Sequence, residues 1–224
     1  MIVKMCGFTR PEDAALAGKI GADMVGVILV RGSPRSISVS RAGEVFNAAG
    51  NDVIKVVVMM PEDLVHAVKV GRELKPDYIQ LHYMVQPGIM EEIRDKTGFR
   101  MIGVVAVPET GAEFESLAER AGAVSDICDM VLIDTKGPHG GGTGKIHDWD
   151  LSARLRKLLR KPVLLAGGLT PENVCTAIRA VRPDGVDVAT GIESSPGIKD
   201  PGRMRDFMKA VETASGSEKC ADDG

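Results

Sequence analysis

Eight short β-branched runs recur along the chain, each followed by an amphipathic stretch, and this alternation constrains the fold more than any other feature. The runs are IVKMC (2–6), DMVGVILV (23–30), VIKVVVM (53–59), YIQLH (78–82), RMIGVVA (100–106), DMVLID (129–134), PVLLAG (162–167) and GVDVAT (185–190). Several are apolar at nearly every position, as strands covered on both faces require. The stretches between them carry helix-start signals at Pro11-Glu12-Asp13, Ser40, Pro61-Glu62-Asp63, Pro171-Glu172-Asn173 and Pro201. Proline at a first helical position and acids in the first turn suit the unpaired amides and the positive dipole end found there. Eight such units in 224 residues predict an α/β protein, a single (β/α)8 TIM barrel at the small end of that fold's range. An open flavodoxin-like sheet of this length would have fewer strands. The barrel is expected over residues 1–213, with the polar stretch ASGSEKCADDG (214–224) as a flexible tail.

A formal net charge of −3 argues against nucleic acid and against an anionic membrane surface, since neither finds the basic stripe it needs. A small molecule is the default partner. No apolar run reaches the roughly 18 to 20 residues that span a bilayer, and the basic-then-apolar layout of a signal peptide is missing, so a cytoplasmic location is expected. Cys6, Cys128, Cys175 and Cys220 form no CxxC pair, which indicates neither a zinc knuckle nor a disulfide framework. Cys128 and Cys175 read as ordinary buried thiols, and Cys220 falls in the tail. His66, His139 and His147 are not grouped with His82 at ligand spacing, and no metal site is expected.

In barrels of this kind the chemistry sits where strands end, so the strand list becomes a list of candidates. Cys6 reads either as a small buried hydrophobe or as a reactive thiol, and its place at a strand tip before Gly7 favours the second. Asp134 either caps a turn or serves as a general acid, which requires burial or a nearby negative charge to raise its pKa. His82 is a satisfied core histidine or a substrate contact, with nothing to choose between them. In the RGSPR loop (31–35), Arg35 follows a rigid proline and has the forked donor geometry that grips a carboxylate.

The segment TKGPHGGGTGKIHDW (135–149) has no periodicity, and its GGGTGK core fits neither the P-loop nor the dinucleotide fingerprint. It reads as a lid that closes near substrate, or as a plain mobile loop. LAGGLTPENV (165–174) and VATGIES (188–194) are more specific. Their glycines let bare amides approach an anion, a helix is expected from Pro171 and a short extra helix after Gly191, and turns after strands seven and eight commonly bind phosphate in this fold.

Taken in order, KMCGFT, RGSPR, YIQLH, LIDTKGPHGGGTGKIHDW, LLAGGLTPENV and VDVATGIESSPGIKD resemble the phosphoribosylanthranilate isomerase family of tryptophan biosynthesis, from residue 2 to about 208. The resemblance implies an Amadori rearrangement without a cofactor, converting N-(5'-phosphoribosyl)anthranilate to 1-(2-carboxyphenylamino)-1-deoxyribulose 5-phosphate. It implies Asp134 as the general acid that opens the ribose ring and Cys6 as the general base that removes the C2' proton. It also implies Arg35 as the carboxylate grip and amides around Gly142, Gly168 and Gly191 as the phosphate site, beside Thr190. The family's usual glycine after the fourth-strand histidine is Tyr83 here, within HYMVQP, and its usual serines are Ala189-Thr190. A monomer and a homodimer are both compatible with the sequence. Rival barrel enzymes would show strand-end lysines or paired aspartates with a histidine-rich metal site, and a non-catalytic phosphosugar binder would not need both Cys6 and Asp134.

Overall fold

The computed structural model describes residues 1–60, 64–82, 87–109, 111, 113–135 and 146–216. The β-branched runs form β1 (Ile2–Cys6), β2 (Met24–Ile28), β3 (Ile54–Met59), β4 (Tyr78–Leu81), β5 (Met101–Val107), β6 (Met130–Thr135), β7 (Val163–Leu165) and β8 (Gly185–Val188). They pair in parallel, in chain order, and β1 pairs with β8 to close the barrel. Helices α1 (Pro11–Lys19), α2 (Val39–Ala49), α3 (Leu64–Leu74), α4 (Pro87–Thr97), α5 (Phe114–Ile127), α6 (Trp149–Leu158), α7 (Val174–Val181) and α8 (Pro201–Ser215) alternate with them. Between β8 and α8 the chain makes a 3-10 turn (Thr190–Ile192) and a small antiparallel hairpin, β9 (Glu193–Ser195) and β10 (Ile198–Lys199).

Side chains alternate between two cores, because successive strand residues point to opposite faces. Val3, Met5, Val25, Val27, Ile79 and Leu81 pack outward in the larger cluster shared with the helices. Met24, Val56, Ile102, Val104, Leu132 and Leu164 fill the lumen. Each such fully buried side chain contributes about 1.5–3 kcal/mol relative to exposure. By the same alternation Lys4, Cys6, Gln80, Asp134 and Asp187 fall on the lumen side, which is how polar groups come to sit inside the ring.

The N-terminal end of the barrel is built by repetition. Asp23, Asp77, Asp129 and Asp184 each stand one residue before an even-numbered strand. Their carboxylates accept from the amides of Val3, Lys55, Met101 and Val163 at 2.7–2.8 Å. Their own amides donate back to the carbonyls of those same four residues at 2.9–3.0 Å. Each odd strand is thereby clasped to the next even one by two bonds where its ladder begins.

Element boundaries differ from expectation in three places. The α2 cap is Ser38, whose hydroxyl accepts from the Arg41 amide, so the helix starts before Ser40. α7 starts at Val174, because residues 170–173 form a turn: Thr170 N donates to Asn173 Oδ1, and Asn173 Nδ2 donates to the Gly168 carbonyl. α8 runs to Ser215, two residues past the expected boundary at 213, with buried Val211 holding its last turns on the core. Pro61-Glu62-Asp63 and residues 217–224, including Cys220, lie outside the described residues. Among the described residues Cys6 and Cys128 are free.

Candidate active site

Cys6 ends β1 on the lumen side and is buried. It stands opposite Gly26 of β2, and a Cβ built on Gly26 would lie only 2.7 Å from the Cys6 sulfur. Glycine in the middle of an apolar strand is therefore space for the thiol. One step down the same face, Lys4 Nζ donates to Asp187 Oδ1 of β8 at 2.8 Å, the two residues being register partners across the closing seam. Burial pushes the Cys6 thiol up, and Lys4 is the largest influence drawing it back.

Asp134 lies near the end of β6 on the lumen side. Its carboxylate accepts from the Thr135 amide at 2.8 Å. Burial, then the negative charge of Asp187, push its pKa up to about 7. A carboxylic acid with that value still holds its proton near neutrality, which is what a general acid needs. Asp134 and Asp187 line one open-mouthed hollow of about 410 Å³, solvent at its mouth included, together with Gly167, Gly168, Thr190 and Gly191. Gly167 and Gly168 adopt left-handed φ values of 88° and 65°. A Cβ on Gly191 would strike the Leu169 carbonyl, so the turns after β7 and β8 come into direct backbone contact there. The hollow thus has glycine-rich walls and an acid at its floor. Cys6 is not among its lining residues; Lys4, two residues away on the same lumen face, is paired with Asp187, which does line it.

Arg35 is buried and already engaged. Its Nε and Nη2 donate to the Glu193 carboxylate at 2.7–3.1 Å, and Nη2 also donates to Thr190 Oγ1 at 3.1 Å. Among the described residues Nη1 has no hydrogen-bond partner, so the fork expected to face a substrate carboxylate faces an internal one and only its other edge is left. Glu193 also accepts from Lys199 Nζ at 2.8 Å. The same ammonium donates to the Cys6 carbonyl at 2.6 Å and to the Ala189 carbonyl at 3.1 Å. Burial pulls Lys199 down and pushes Glu193 up, but Arg35 and Lys199 together leave Glu193 below its ordinary value. This knot fastens the tip of β1, the turn after β8 and the loop after β2 to one another.

Residues 3–210 match the family described as N-(5'phosphoribosyl)anthranilate (PRA) isomerase. The N-(5'-phosphoribosyl)anthranilate isomerases of Methanopyrus kandleri and Haloferax volcanii are 40% and 42% identical, over 94% and 96% of this chain and 98% and 95% of theirs. The chain belongs to the N-(5'-phosphoribosyl)anthranilate isomerase family. The crystal structure of the Thermotoga maritima isomerase superposes with a TM-score of 0.83 at 34% identity, covering 95% of this chain and 99% of that one. A further isomerase structure, solved in complex with reduced 1-(o-carboxyphenylamino)-1-deoxyribulose 5-phosphate, gives 0.80 at 31% identity, covering 95% and 99%.

Among isomerase-family features expected from the sequence, Asp134, Gly168, Thr190 and Gly191 meet around the hollow, while Cys6 and Arg35 stand beside it. His82 follows β4 and is lowered to about 4 by burial and by Lys4, so its ring is neutral at pH 7. Gly142, Tyr83 and most of the expected lid lie outside the described residues. His147, grouped with the lid in the sequence, is instead a buried anchor. Its Nδ1 bonds Thr135 Oγ1 at 2.9 Å and its Nε2 bonds Ser152 Oγ at 2.6 Å, tying β6 to α6. Among the described residues no group of His, Cys, Asp and Glu could hold a metal ion, and no helix is long and apolar enough to cross a membrane.

Four charged residues of this site went unassigned in the sequence: Lys4, Asp187, Glu193 and Lys199. Lys4 and Asp187 carry a legible signal, a charge at a lumen position of a strand that is otherwise apolar. Glu193 and Lys199 lie in a stretch without periodicity and offer none.

Proposed function

We propose that this isomerase-family chain converts N-(5'-phosphoribosyl)anthranilate to 1-(2-carboxyphenylamino)-1-deoxyribulose 5-phosphate, with Asp134 as general acid and Cys6 as general base. Asp134 gives its proton to the ribose ring oxygen, the C1'–O bond breaks, and the anthranilate nitrogen's lone pair forms the Schiff base. The Cys6 thiolate then takes the C2' proton, and the electrons of that C–H bond form the enolamine, which tautomerises to the ketone. Turns at Gly168, Thr190 and Gly191 hold the phosphate, joined by Gly142. The free edge of Arg35 receives the anthranilate carboxylate, and neutral His82 contacts the substrate. The partner is this small phosphosugar, no cofactor takes part, and the chain works in the cytoplasm as a monomer or homodimer.

One observation carries the reading: a carboxyl that holds its proton to about pH 7 lines the same hollow as two glycine turns suited to an anion. The test is purified protein with freshly made phosphoribosylanthranilate, following loss of the substrate's fluorescence. Cys6→Ala and Asp134→Asn should each lower turnover at least about a hundredfold while leaving substrate affinity within a few-fold. Full activity in either variant overturns the roles assigned.

A further inference from the structure

The reaction as drawn makes no use of Lys4, a charged group on the lumen face of β1. Its side chain has no exposure to solvent, and its partner Asp187 is about nine-tenths buried. A buried ion pair is a poor stabiliser, because desolvating two charges costs several kcal/mol and an apolar pair of similar volume often holds a core as well or better. Lys4 and Cys6 share the lumen face of β1 two residues apart, and Asp187 is the register partner of Lys4 on β8. Asp187 also lines the hollow that Asp134 lines. The pair therefore lies between the proposed base and the proposed acid, its cation beside the first and its anion beside the second.

We propose that Lys4 is a positioning residue for the isomerisation: its ammonium, fixed by Asp187, holds the Cys6 sulfur and stabilises the thiolate that takes the C2' proton, while the carboxylate end of the same pair faces Asp134. The inference rests on Cys6 being the base. The charges facing the thiol are Lys4 on its own strand, Asp187 on β8, Lys199 on β10 and Arg35 after β2. Lys199 and Arg35 share one counter-charge, Glu193, and Lys199 spends its bonds on carbonyls and on that carboxylate. Lys4 stands two residues from the thiol on the same lumen face of β1, with its ammonium fixed at 2.8 Å from Asp187. After burial, Lys4 is the leading influence on Cys6, and Asp187 is the leading influence on Asp134. A single buried dipole thus acts in opposite senses on two proton-transfer groups, each in the direction the chemistry needs.

The test compares Lys4→Met with Lys4→Met/Asp187→Leu, which leaves no charge unpaired in the lumen, and with Lys4→Arg. Ultraviolet thiolate absorbance is titrated in each, with the matching Cys6→Ala protein subtracted. Cys128, pushed up to about 12, stays outside the window. In both methionine variants thiolate formation should move up by at least about one pH unit, a tenfold shift in the ionisation ratio, and kcat at pH 7 should fall at least about tenfold with KM within about threefold. Lys4→Arg should recover part of both. A folded methionine variant, judged by circular dichroism and urea midpoint, that keeps the wild-type thiolate titration or the wild-type kcat overturns the proposal. Because the titration needs no turnover, it separates failure of this inference from failure of the base assignment, which full activity in Cys6→Ala would reveal.

Discussion

The two ends of the barrel are built on different rules. At the N-terminal end four aspartates repeat one clasp, each joining an odd strand to the next even one by the same pair of bonds. At the C-terminal end nothing repeats. Cys6, Asp134, Arg35, Glu193 and Lys199 each have a setting found once among the described residues, and their contacts join residues as far as 193 apart in sequence. The clasps are partly exposed and interchangeable, so each stands for a small and local gain. The top of the barrel concentrates charge in dry surroundings, where pairing matters far more and the loss of one partner is felt by every other.

That contrast can be broken or sharpened by substitution. Glu193→Gln should give the largest effect on stability, about 3–5 kcal/mol by urea denaturation, since it leaves the fully buried Lys199 ammonium and the Arg35 guanidinium without their counter-charge. A loss under about 1 kcal/mol would show that the knot is no more than an exposed-type pair. Asp134→Asn should be next, and opposite in sign. The folded-state pKa of about 7 lies above the ordinary carboxylate value of 3.8, so the native state favours the protonated form. The stability gained from that proton is complete below about pH 4 and is lost as pH rises through about 7. The asparagine variant should therefore match wild type at low pH and become the more stable of the two by pH 8, while having lost its activity. Equal urea midpoints at both pH values would contradict the burial described for this carboxyl. Smallest should be Asp77→Ala, about 1 kcal/mol by the same method with kcat unchanged. Asp23→Ala should behave alike, and combining the two should add, since the two clasps share no partner. A fall in kcat from either would mean that the two ends are coupled after all.

The architecture was legible because it depends on a period. Strands apolar on both faces stand out in a sequence, and every one expected was found with its ends displaced by no more than a few residues. Helix starts were read less well where two polar residues compete, as Ser38 and Ser40 do, or where an asparagine closes a turn first, as Asn173 does. The hollow was legible in part. Gly168, Thr190 and Gly191 stand just past strands and Asp134 near the end of one, where position alone predicts a place at the mouth. The charge knot was not, because a lysine's burial is decided by partners brought in by the fold. Lys4 is flanked by Val3 and Met5 and resembles a blemish in an apolar run until Asp187 is placed across from it. Arg35 shows the converse: its forked donor geometry is legible in the sequence, but the carboxylate it holds in the fold comes from a residue 158 positions away.

The closing seam has a consequence for how such a chain comes into being. Lys4 meets its counter-ion 183 residues later, and the carbonyl of Cys6 meets Lys199 later still. A nascent chain leaving the ribosome must therefore carry its first strand with one edge unpaired through most of translation. The sulfur's surroundings are completed only at the end of synthesis, since a fragment that stops before the eighth strand lacks both the Asp187 and the Lys199 that face it.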